Sequence, residues 1–83
     1  MWQAYLVLCS DGTLYCGISR DIDVRLEEHN RGKGAKYTRA RRPVRLVWYS
    51  DVVDTRSEAT KLELQIKKLT RSQKWALIKE GVF

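Results

Sequence analysis

The sequence holds a single histidine, a single proline, a single phenylalanine and only two cysteines in 83 residues. One histidine with Cys9 and Cys16, and no C-x-x-C pair, excludes zinc sites of the usual spacing. No apolar run approaches the ~18 residues that would suggest a membrane span. Met1 is not followed by a basic-then-apolar leader, so a soluble cytoplasmic protein is the expectation. Repeats, linkers and low-complexity runs are also missing, which leaves one domain over residues 1–83. A domain of this size buries only roughly 60% of the surface its unfolded chain exposes.

One further absence carries more weight. No acid lies between Arg31 and Arg45, a segment holding Arg31, Lys33, Lys36, Arg39, Arg41, Arg42 and Arg45. The formal charge is +6, yet the first thirty residues are net acidic. A cationic block of this density repels itself unless an anion sits nearby. It is either a solvated basic loop or a surface for a nucleic-acid backbone.

Trp2 to Cys9 alternates like a strand, with Ala4, Leu6 and Leu8 on one face and Gln3, Tyr5, Val7 and Cys9 on the other. Thr13 to Ile18 reads as a second strand, and Ser10-Asp11-Gly12 as the hairpin turn, with Gly12 left-handed. A three-residue loop sets Val7 opposite Tyr15 and Tyr5 opposite Gly17, which leaves open space at Tyr5. Cys9 and Cys16 then point to opposite faces, as buried free thiols. Asp21 caps a helix ending near Arg31, with Gly32 just beyond. Gly32 to Thr38 is too rich in glycine and cations to form a regular element. Its N–H groups and Lys33 and Lys36 suit phosphate. Pro43 opens a strand over Val44 to Ser50 whose two apolar faces fit the centre of a small sheet. Thr55-x-x-Glu58 and Thr70-x-x-Gln73 are capping-box patterns that start two more helices. The last of these packs Trp75, Ala76 and Ile78. The fold expected is α+β: a three-stranded antiparallel sheet with about three helices, in the order ββαβαα.

Three residues stand out from this pattern. At roughly 100° per residue, Arg25 and His29 share the helix face of Ile22 and Leu26 that packs on the sheet. Arg25 is either a stem on the core with its head reaching solvent or part of a site. His29 is either favoured by the helix C-terminus or part of the same site. Glu63 lies at the edge of the apolar stripe of Ala59, Leu62, Ile66 and Leu69. A carboxylate there is either paired with a cation or recruited for a metal.

Taken in order, these residues resemble the GIY-YIG nuclease superfamily. Gln3-Ala4-Tyr5 stands where that family has its first tripeptide, and Tyr15-Cys16-Gly17 where it has the second. Arg25, His29 and Glu63 follow in the family's order. The similarity spans nearly the whole chain and is greatest to small, stand-alone members of unassigned cellular role, whose GKGAKYT-R-x-RRP segment reads here as Gly32 to Pro43. The first tripeptide keeps only its tyrosine, and the second has cysteine for isoleucine. No counterpart of the C-terminal asparagine of the homing-endonuclease branch is present.

The resemblance implies a metal-dependent endonuclease acting on DNA. Tyr5 would be the general base, its pKa drawn below about 10 by a nearby cation. Arg25 would supply that field and grip a phosphate oxygen, while Tyr15 and His29 would hydrogen-bond phosphate or orient water. Glu63 would hold one divalent metal, Mg²⁺ or Mn²⁺, at the leaving oxygen. Lys33, Lys36, Tyr37, Arg39, Arg41 and Arg42 would contact the nucleic acid. Nothing reads a base edge, so structure-dependent or non-specific cutting is expected. No organic cofactor or membrane is implied, and a protein partner stays open. The rival readings are a catalytically silent nucleic-acid-binding module and a protein-interaction domain with a basic surface.

Overall fold

In a computed structural model describing residues 1–81, the hairpin consists of β1 (Gln3–Leu8) and β2 (Leu14–Ser19). Its turn is built from short-range chemistry. The Asp11 carboxylate accepts the Thr13 N–H at 3.1 Å and its hydroxyl at 2.6 Å, and Gly12 sits at φ 85°. The Cys9 N–H donates to the Thr13 carbonyl at 2.8 Å, closing a three-residue loop. The register follows: Val7 faces Tyr15 and Tyr5 faces Gly17.

After the hairpin come α1 (Ile22–Asn30), α2 (Lys36–Arg39), β3 (Arg45–Tyr49), α3 (Arg56–Lys67) and α4 (Arg71–Glu80). Asp21 caps α1 by accepting the Val24 N–H, and Gly32, at φ 79°, follows its end. Thr55 caps α3 through the Glu58 N–H, with only this half of the capping box formed. Thr70 and Gln73 complete both halves at α4. The order expected, ββαβαα, is present with one addition. The cation-rich loop contains a single helical turn, α2, because the Thr38 hydroxyl turns inward and donates to the Ala35 carbonyl at 2.9 Å.

The sheet is antiparallel with strand order β2-β1-β3, so β1 is central and β3 lies at an edge. The central place expected for the third strand is therefore corrected. Its two apolar faces reflect helices on both sides of the sheet, not strands on both sides. Leu46 packs on the α1 side with Tyr5, Val7, Ile22 and Leu26. Val47 and Trp48 both pack on the opposite side with Ala4, Leu6, Cys16 and Ile66. A shift in pairing between Leu6 and Val7 allows two successive residues to share that side. Cys9 and Cys16 are buried free thiols on opposite faces.

α4 reaches the core through Leu77 and Ile78. Ala76 is exposed, against expectation, and Trp75 is half-buried with the Arg71 guanidinium 5.8 Å from its ring. The helix is rotated so that Leu77 takes the inward place. No helix among the described residues is long and apolar enough to cross a membrane.

Candidate active site

The side chain of Tyr5 rises from the central strand on the α1 side and is only 2% exposed. Gly17 opposite makes room for it. A Cβ there would lie 2.6 Å from the Tyr5 hydroxyl, closer than such atoms approach. That hydroxyl is 2.8 Å from Nε2 of His29. The Arg25 guanidinium beside it favours the phenolate, but burial is the larger influence and pushes the Tyr5 pKa up to about 12. The expectation that Arg25 draws this phenol below its usual value is therefore corrected.

His29 occupies the last turn of α1 and is fully buried. Its Nδ1 lies 2.7 Å from the Thr38 hydroxyl, and the Tyr15 ring meets the imidazole edge-on with centroids 5.5 Å apart. Burial above all, and Arg25 after it, lowers the His29 pKa, with Glu28 opposing. The imidazole is thus neutral at pH 7. Both ring nitrogens are engaged within the protein, so neither is left for the phosphate or water contact expected of His29.

The glycine-rich loop closes over this imidazole. A Cβ on Gly34 would be driven into the His29 ring at Nδ1 and Cγ. Gly34→Ala is expected to cost about 1–3 kcal/mol of stability through such overpacking. Urea denaturation measures it, and an unchanged midpoint would contradict the packing described. Gly34 thus serves close approach to His29.

Tyr15 is half-buried and stacks on Tyr37 at 5.8 Å and 22°. The Arg41 guanidinium lies over the Tyr37 ring at 4.0 Å, bonds the Asp11 carboxylate at 3.0 Å and donates to the Tyr37 carbonyl. This column ties the hairpin turn to α2. Burial raises the Tyr15 pKa, with Lys67 and Arg25 opposing. Arg25 itself is partly exposed and pairs with Glu28 at 3.5 Å.

Glu63, on α3, is paired with Lys67 at 3.5 Å, so the cation foreseen as one alternative for this carboxylate is present. Among the described residues no group of three or more His, Cys, Asp or Glu side chains could hold a metal. Glu63, its side chain 18% exposed, thus has at most one other such donor beside it among the described residues. So small a set fits only an ion such as Mg²⁺, which keeps most of its water ligands.

The six residues expected at the nucleic acid divide into two groups. Lys33, Lys36 and Arg39 are exposed, and their side chains make no ion pair or hydrogen bond among the described residues. Arg41, Arg42 and Tyr37 are engaged within the fold. Arg42 donates to the Arg39 carbonyl at 2.9 Å and the Asn30 carbonyl at 3.4 Å.

Two residues at the site went unread in the sequence. Thr38 contacts His29 from nine positions away. The Asn30 side chain clamps both the N–H and the carbonyl of Val44, fixing the end of α1 to the start of β3. No local pattern announces either partner.

A family model described as the GIY-YIG catalytic domain matches residues 1–76. A protein of Staphylococcus aureus (strain Mu3 / ATCC 700698) named UPF0213 protein is 57% identical over 76 residues, 92% of each chain. The solution NMR structure of the UPF0213 protein BH0048 from Bacillus halodurans is similar with a TM-score of 0.59 and 40% identity, over 95% of this chain and 84% of that one. The solution NMR structure of EF2693 from E. faecalis gives 0.60 and 49%, over 94% and 82%.

Proposed function

From the premise that the chain belongs to the GIY-YIG catalytic domain family, we propose that it is a metal-dependent endonuclease hydrolysing phosphodiester bonds of DNA in the cytoplasm. The observation that carries this reading is the buried Tyr5–His29–Thr38 hydrogen-bond chain with Arg25 at its open end.

The attacking water gives its proton to the Tyr5 oxygen while the phenol passes its own proton to Nε2 of His29. The phenol therefore never needs to ionise against its raised pKa. His29, neutral by burial, is the acceptor. Arg25 binds a non-bridging phosphate oxygen and stabilises the charge that builds on it. The Tyr15 hydroxyl, without an intramolecular hydrogen bond among the described residues, orients the phosphate or the water. Lys33, Lys36 and Arg39 hold the backbone, which predicts steep salt dependence of binding. Glu63 would hold one divalent ion, which when bound stabilises the leaving oxygen.

A second reading, a silent nucleic-acid-binding module, draws on two observations: the 2% exposure of Tyr5 and the occupation of Glu63 by Lys67. Cleavage of single-stranded, duplex and branched DNA with Mg²⁺ or Mn²⁺ separates the two. Products that vanish with EDTA and in Glu63→Ala are expected. DNA bound but left intact with every metal would leave the binding module standing.

A further inference from the structure

We propose that Thr38 is a positioning residue that locks His29 in the Nδ1–H tautomer and thereby keeps Nε2 open to the proton of Tyr5. This rests on the reading of Tyr5 as the base.

The assignment follows from counting hydrogens along one buried chain. Thr38 has one hydroxyl proton and two close neighbours, the Ala35 carbonyl at 2.9 Å and His29 Nδ1 at 2.7 Å. A carbonyl can only accept. If the hydroxyl proton went to Nδ1 instead, two unprotonated oxygens would face each other at 2.9 Å. The imidazole would then carry its proton on Nε2 and donate it to Tyr5. The phenol proton would in turn need another acceptor, and Tyr5 has none among the described residues.

The opposite arrangement satisfies every group. Tyr5 donates to Nε2, Nδ1–H donates to Thr38, and Thr38 donates to Ala35. The Tyr5 oxygen then keeps its lone pairs for the attacking water and for Arg25. His29 and Thr38 are fully buried, so at their end of the chain solvent offers no substitute partner. The same helical turn carries Thr38 on its inside and Lys36 and Arg39 on its exposed side. The element that meets a phosphate backbone in this reading therefore also sets the protonation of the relay.

The chain has one histidine, so the imidazole nitrogen-15 spectrum reports this ring alone. At pH 7.5 the wild-type protein should show a protonated Nδ1 and a bare Nε2. Thr38→Val removes the hydroxyl at nearly constant shape and should move the proton to Nε2, and Thr38→Ser should return it. Cleavage by Thr38→Val should slow roughly a hundred-fold in kcat with KM little changed, and Thr38→Ser should recover. A wild-type Nε2–H ring overturns the proposal even if no variant folds. So does a valine variant that keeps the wild-type tautomer, or one that changes tautomer and cuts at the wild-type rate. If the wild-type protein cuts no DNA, the nuclease reading and the catalytic use of the tautomer fall together. The spectrum then still decides separately whether Thr38 sets the ring.

Discussion

Arg25→Ala should abolish measurable cleavage, a loss on the order of 10³-fold, while DNA affinity falls only slightly. The guanidinium no longer holds the phosphate as charge builds on it. Binding persists because the exposed cations Lys33, Lys36 and Arg39 remain. The fold should persist as well. The ion pair to Glu28 is 3.5 Å long and partly solvated, a class of interaction worth about 0–1 kcal/mol. Single-turnover cleavage beside an equilibrium binding titration makes the comparison. A loss of affinity as large as the loss of rate would reassign Arg25 to substrate binding and remove it from catalysis.

The ease with which Arg25 and His29 can be found in the sequence has a physical basis. A helix repeats every 3.6 residues, so a cation and an imidazole four apart, in phase with Ile22 and Leu26, must face the same layer. A strand repeats every two, so once Gly12 sets the turn, the pairing of Tyr5 with Gly17 is determined. What periodicity conveys is a direction from the backbone. It does not convey which group waits there.

The features that stayed hidden share that property. Leu46, Val47 and Trp48 signal covering on both faces of β3, and an edge strand between two helical layers meets that condition as well as a central one. Tyr37, Arg41 and Asp11 form one column, yet Asp11 is thirty residues from Arg41 and belongs to a different turn. Thr38 reads as one more polar residue in a cationic loop until the fold brings it to Nδ1. Burial acts in the same way on charge. That a tyrosine near an arginine should ionise more easily is a pairwise argument, and desolvation of the whole pocket outweighs it at Tyr5.

The same pocket makes His29 the residue whose loss should most weaken the fold. His29→Ala removes a fully buried ring and leaves the Tyr5 and Thr38 hydroxyls facing a void. Cavity and orphaned polar groups together should cost about 3–5 kcal/mol, a large part of the stability of a domain this small. The melting temperature should fall by roughly 15–30 °C. His29 also gives wild-type stability a pH dependence of definite sign. In the unfolded chain the imidazole takes its proton near ~6.5, whereas in the fold its pKa is lower. Below ~6.5 the unfolded state binds more protons, so acid favours unfolding. The contribution of His29 is therefore complete above that pH and is lost as pH falls toward the folded value. Asp11, held below the usual carboxylate range by Thr13, enters only in a more acidic window. Urea midpoints measured from about pH 8 to 5 should thus be flat and then decline from ~6.5 downward. In His29→Gln, which cannot take up a proton, that decline should disappear. A wild-type midpoint that stays level through the same range would mean that the imidazole is not buried in its neutral form, and the proton acceptor proposed for Tyr5 would be lost with it.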